Sequence, residues 1–127
     1  MKRVIETTEA PAAVGAYSQA VTDGNLVFTA GQIPLTPDDT LLDDEDIAVQ
    51  TRQSLENVKA ILEEEGLTMQ DVVKVTVFLA DIDDFELMNE AYSEYFTDNP
   101  PARSAVQAGA LPKGVDVEIE AIAAQRD

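Results

Sequence analysis

The groups in this chain best able to do chemistry are an arginine and a set of carboxylates near its C-terminal end. Residues 100–124 read as two short strands joined by a Gly/Pro turn. From Val115 onward, Val115, Val117, Ile119, Ala121 and Ala123 point one way while Asp116, Glu118 and Glu120 point the other, as a period of two requires. One face is therefore core and the other carries carboxylates. Arg103 falls on the companion strand, and a guanidinium beside a carboxylate can hold one anionic group and move one proton. Two other readings stand beside this one. Arg103 could be only a structural ion-pair partner among 25 carboxylates, and the alternation does not separate Glu118 from Glu120.

The chain contains neither cysteine nor histidine. Disulfides, thiol nucleophiles, Ser-His triads and the usual zinc ligand sets are thereby excluded, leaving carboxylates, Arg, Lys, Tyr, hydroxyls, backbone groups and water. The acidic loop over residues 37–46 lacks the central Gly and terminal Glu of a calcium-binding EF-hand and reads as solvated chain. No metal site is expected.

With 127 residues, the chain suits one domain over 1–127. It has 25 Asp+Glu against 8 Lys+Arg, a net charge of −17, which opposes binding to nucleic acid or to an anionic membrane. Hydrophobic residues make up 45% of the chain and are periodic, which argues against disorder. A folded protein coated in carboxylates suits concentrated salt, where the Debye length falls to about 3 Å at 1 M, and a salt-rich cytosol is the expectation. No signal-peptide pattern or long apolar run is present, so a soluble, cytoplasmic protein is expected.

Several elements must position these groups. Residues 4–7 and 17–21 read as short strands, and Asp23-Gly24-Asn25 as the turn of a hairpin into a strand ending at Gly31. Asp46 can cap a helix whose buried stripe is Ala48, Thr51, Leu55, Val58 and Leu62, stopped at Gly66. Residues 72–80 are β-branched and read as a central strand. Asp83 and Glu86 suggest a capping box for a second helix over 84–96, which buries Phe85, Met88, Tyr92 and Tyr95 or Phe96. Asn57 and Asn89 on these helices read as structural hydrogen-bonders. The result is an α+β fold: a mixed or largely antiparallel sheet with both helices on one face. The other face, carrying Glu118, Glu120, Ile122, Thr76 and Phe78, has no third layer to cover it, and its apolar members point to association.

The stretches 10–20, Thr29-Ala30-Gly31-Gln32-Ile33-Pro34, 53–58, Phe85 through Asn89 to Tyr92, Pro101-Ala102-Arg103-Ser104 and Val117-Glu118-Ile119-Glu120-Ala121 resemble the signatures of the YjgF/YER057c/UK114 family, the reactive intermediate deaminases. The resemblance implies a chorismate-mutase-like fold and a homotrimer whose sheets form a central barrel with active sites between adjacent subunits. It also implies hydrolysis of 2-imino or enamine acids to 2-oxo acids and ammonia, with no cofactor. On that basis Arg103 would grip the substrate carboxylate and Glu118 would orient or deprotonate water. Tyr17 would flank the ligand, and the backbone at Gly31 and Ala105 would line the cleft. The chain departs from the pattern at Ala105, where many members have Cys, at Ala30, where a hydroxyl is common, and at Pro100, where an aromatic is common. A non-catalytic trimer that binds small metabolites or unfolded chains is the alternative. Ribonuclease activity fits poorly with the charge and the absence of histidine.

Overall fold

The Asp23-Gly24-Asn25 turn does what its residue types allow. Gly24 takes φ 100°, and the Asp23 carboxylate accepts the N–H groups of Asn25 and Leu26 at 2.9 and 3.0 Å, closing the hairpin between β2 (Ala20–Thr22) and β3 (Leu26–Thr29). The computed structural model describes residues 1–126. In them, β1 (Arg3–Ile5), β4 (Val72–Leu79), β5 (Ala102–Gln107) and β6 (Val117–Ala124) join the hairpin in a six-stranded sheet of order β1-β2-β3-β6-β4-β5. Only β4 and β5 pair in parallel.

Helix α1 (Ile47–Glu64) starts on Asp46, whose side chain accepts the Val49 N–H. It ends in a left-handed Gly66 at φ 77°, with Leu67 N–H returning to the Leu62 carbonyl and Gly66 N–H to that of Glu63. Helix α2 (Phe85–Ser93) links β4 to β5. The chain crosses from β3 to β4 through α1 and from β4 to β5 through α2, in the same direction across the sheet. Crossovers of one hand therefore place both helices on one face. Val75, Val77 and Leu79 of β4 and Val117, Ile119, Ala121 and Ala123 of β6 are buried beneath them with Leu55, Val58, Ile61, Leu62 and Met88.

The opposite face is bare, as expected. Register places Glu118 beside Phe78, Glu120 beside Thr76, and Ile122 beside both Lys74 and Phe28. Phe28 is 38% and Val106 44% exposed. Among the described residues, no helix is long and apolar enough to cross a membrane.

The structure corrects four expectations. The strands carrying Arg103 and Glu118 are not neighbours, because β4 lies between them. The α2 crossover lays β5 parallel to β4, and residues 108–116 then carry the chain back over β4 so that β6 fills the gap beside β3. Tyr17 is outside β2, which begins at Ala20. The chain before it is held instead by the buried Gln19 side chain, which accepts from Thr7 N–H and donates to the carbonyls of Thr7, Ala10 and Pro11. The capping box at Asp83 and Glu86 does not form. Asp81 caps a 3-10 turn over Ile82–Asp84 through the Asp83 N–H, and Asp84 precedes α2 without a side-chain cap. Finally, α2 ends at Ser93, three residues short of Phe96, as its last turn tightens into bonds from Glu94 to Ala91 and Tyr95 to Tyr92.

Candidate functional site

Arg103 pairs with Val75 in the β4–β5 ladder, so its side chain leaves the helix-covered face of the edge strand. There it meets α2. Its Nη1 donates to Asn89 Oδ1 at 2.6 Å, and its Cζ lies 4.7 Å from the Tyr92 ring centre and 5.2 Å from that of Phe85. The other three arginines each hold a carboxylate: Arg3 with Glu65, Arg52 with Glu94 and Arg126 with Asp71. Among the described residues Arg103 forms no such pair, despite 25 carboxylates in the chain. A cavity of about 340 Å³ opens beside it, bounded by Asn89, Tyr92, Phe96, Pro101 and Arg103, a volume suited to a small ligand. Ala105 lies two residues on, on the same face, half-buried against the core.

Glu118 belongs to the other face. Its neighbour is Gly31, at an irregularity in the β3–β6 ladder. Phe28 pairs with Ile122, yet Gln32 bridges Ile119, so Ala30 and Gly31 together oppose Glu120. This is a bulge of one extra residue, ended by reciprocal bonds between Gln32 and Ile119 at 2.7 and 3.0 Å. Gly31 leaves space for this carboxyl, because a Cβ built on it would overlap Glu118, with Cδ only 2.9 Å away, and the carboxyl would have to move. Burial first, and the Glu120 charge second, push the Glu118 carboxyl above the usual glutamate range. Glu120 is exposed and Glu118 half-buried. The structure thus distinguishes two carboxyls that the alternation leaves equivalent.

Tyr17 is 52% exposed, on the loop that Gln19 anchors. Its Oη accepts from Val14 N–H at 3.3 Å, and its ring borders a separate groove of about 710 Å³ with Thr7, Ser18 and Pro37.

One chain therefore unites Gly31 with Glu118, and Arg103 with Ala105, but holds the two pairs apart. They are on opposite faces, two strands and three residues of register apart, about 14 Å between Cα atoms at ordinary strand spacing. The guanidinium-beside-carboxylate pair does not form within a single chain. Sequence reasoning passed over Asn89, which it read as structural, and read Phe85 and Tyr92 only as core. The available signal was their spacing of four and three along α2, which stacks all three on one stripe. Asn57, read the same way, is structural: its amide donates to the carbonyls of Ile33 and Leu35 at 3.2 and 2.9 Å.

Residues 7–125 match the profile of the family described as Endoribonuclease L-PSP. A RutC family protein of Pyrococcus horikoshii is 55% identical, with 97% of this chain and 98% of the relative covered. The 2-iminobutanoate/2-iminopropanoate deaminase of Salmonella typhimurium is 50% identical, with 99% and 100% covered. Among solved structures, Escherichia coli TdcF with bound serine superimposes with a TM-score of 0.92 at 46% identity, covering 98% of this chain and 99% of that one.

Proposed function

The chain belongs to the Endoribonuclease L-PSP family, and from that premise we propose that it hydrolyses 2-imino acids and their enamine tautomers to 2-oxo acids and ammonia. The observation that carries this reading is Arg103, which among the described residues has no internal carboxylate partner and is set beside a small cavity. A 2-imino acid is a small anion with an electrophilic C2. It needs a cation for its carboxylate and a group to manage one proton at the attacking water.

In the proposed reaction Arg103 grips the carboxylate through charge-assisted hydrogen bonds, worth about 1.5–3 kcal/mol. Ionised Glu118 takes a proton from water as its oxygen bonds to C2 and passes that proton to the imine nitrogen, giving a carbinolamine. Glu118 then takes the hydroxyl proton of the carbinolamine as C2=O forms and delivers it to nitrogen as the C2–N bond breaks, so that ammonia leaves and the 2-oxo acid remains. A half-buried carboxyl with a raised pKa suits both halves of that exchange. Gly31 supplies backbone next to Glu118, Tyr17 flanks the ligand and Ala105 lines its floor. No step calls for a cofactor.

Since one chain keeps Arg103 and Glu118 apart, the proposed site lies between subunits. The bare face, with Phe28, Phe78, Val106 and Ile122, packs on a second copy and closes a homotrimeric barrel, so Arg103 of one subunit meets Glu118 of another. The proposed setting is a cytoplasm of high ionic strength, a reading that the net charge of −17 supports, without nucleic-acid or membrane partners.

The serine in the TdcF structure favours a second reading, binding of small amino or oxo acids without turnover. The deciding experiment generates the imine in molar potassium chloride with a serine/threonine dehydratase and follows 2-oxo acid release against imine captured by an added scavenger. The deaminase reading expects faster release with the protein, and a fall in kcat/KM of about 10- to 100-fold in Arg103→Ala, the equivalent of one charge-assisted contact. Unaccelerated release would leave the binding reading.

A further inference from the structure

An exposed-edge arginine in so acidic a chain should collapse onto an aspartate or glutamate, and the other three arginines do. What prevents this at Arg103 is visible on α2. The one hydrogen bond Arg103 makes from its guanidinium among the described residues goes to a neutral amide oxygen, Asn89 Oδ1 at 2.6 Å. That contact uses one of five N–H groups. The Tyr92 and Phe85 rings, at 4.7 and 5.2 Å, attract the cation through their π-faces and use none.

Tyr92 is buried, and its hydroxyl has no hydrogen-bond partner among the described residues. The side chain is therefore serving through its ring. Burial pushes its pKa up to about 12, so no phenolate competes for the guanidinium.

We propose that Asn89, with Tyr92 and Phe85, is a positioning device that holds the Arg103 guanidinium by one neutral contact and two ring faces, leaving its remaining N–H edge free for a substrate carboxylate. The identity of that carboxylate rests on the deaminase reading; the positioning itself does not. Asn89 is the position that matters most, because neutrality is its function. Asn89→Asp is nearly isosteric, and its carboxylate would give Arg103 the internal ion pair that it does not form among the described residues. A merely structural asparagine would tolerate the change, whereas a positioning one would lose its ligand.

The test uses the full chain in molar potassium chloride with three readouts: calorimetric binding of 2-oxobutanoate, the urea midpoint, and rotation of the Arg103 Nη groups by ¹⁵N NMR. In Asn89→Asp, 2-oxobutanoate should bind about 10- to 100-fold more weakly, the loss of one charge-assisted contact, while the urea midpoint stays level or rises. In Asn89→Ala, Nη rotation should quicken and affinity fall by about 10-fold on the same scale. Tyr92→Leu should weaken binding, and Tyr92→Phe should rescue it by restoring the ring. Wild-type affinity in Asn89→Asp, or Nη rotation as fast in the wild type as in Asn89→Ala, would overturn the proposal. A wild type that binds no 2-oxobutanoate would count against the deaminase reading alone, and Nη rotation would still decide the positioning.

Discussion

Glu118 and Glu120 stand two residues apart on one face of one strand and differ in what lies over them. Glu118 is tucked against the Gly31 backbone and half-buried, and it is raised by burial and by the Glu120 charge. If ionised Glu118 is the group that accepts the water proton, kcat/KM falls as pH drops through its pKa, above the usual glutamate range. Glu120→Gln removes the neighbouring negative charge, favours the Glu118 carboxylate, and should shift that acid limb to lower pH. A pH–rate profile of the two proteins checks the sign, and an unmoved limb would mean that Glu120 does not act on the group being titrated. Little of this was legible in the sequence, because a period of two places both carboxyls on one face and says nothing of a bulge on the adjacent strand. Likewise the Phe85–Asn89–Tyr92 stripe has the spacing of any core-facing helix. Only the position of β5 shows that the stripe ends on a guanidinium.

At the scale of elements, the bulge at Ala30 and Gly31 makes room for Glu118, and the left-handed Gly66 ends α1. The two glycines make a controlled comparison. Gly31→Ala puts a methyl into the Glu118 carboxyl, so activity should fall by about 10-fold or more, as expected when a group of general-base rank is displaced. Gly66→Ala strains only the helix end, costing about 1 kcal/mol of stability and leaving turnover intact. Steady-state rates and urea midpoints for both variants check the split. Local elements were readable because their causes are local: the Asp23-Gly24 turn, the Asp46 cap, the Gly66 stop and the β-branched run of β4 all formed as expected. Strand order was not, since the insertion of β6 between β3 and β4 depends on crossovers spanning dozens of residues. The two C-terminal strands therefore read as a pair and are separated by β4. The α2 cap failed for a nearer reason, since Asp81 takes the role two residues earlier in a 3-10 turn.

For the whole molecule, two features pull against each other. The bare face, with Phe28, Phe78, Val106 and Ile122, favours association by burying apolar area. A charge of −17 on every copy opposes it. Screening decides the balance, so lowering potassium chloride from molar toward about 0.01 M, where the Debye length reaches about 30 Å, should dissociate the proposed assembly. Light scattering across the series measures this, and a mass that stays constant to the lowest salt would contradict it. Phe28→Glu should raise the salt needed for assembly.

In the proposed reaction assembly matters, because Arg103 and Glu118 of one chain lie on opposite faces of the sheet. The most direct test of a site shared between subunits mixes two disabled proteins. Arg103→Ala lacks the carboxylate grip and Glu118→Gln lacks the proton acceptor, so each alone should keep at most about a tenth of wild-type activity toward dehydratase-generated imine. Dissociated together at low salt and reassembled in molar potassium chloride, they should regain roughly a quarter of wild-type activity, the random share of interfaces in a closed ring that pair an intact Arg103 with an intact Glu118. Mixed oligomers, verified by native mass spectrometry, that regain no activity would contradict it.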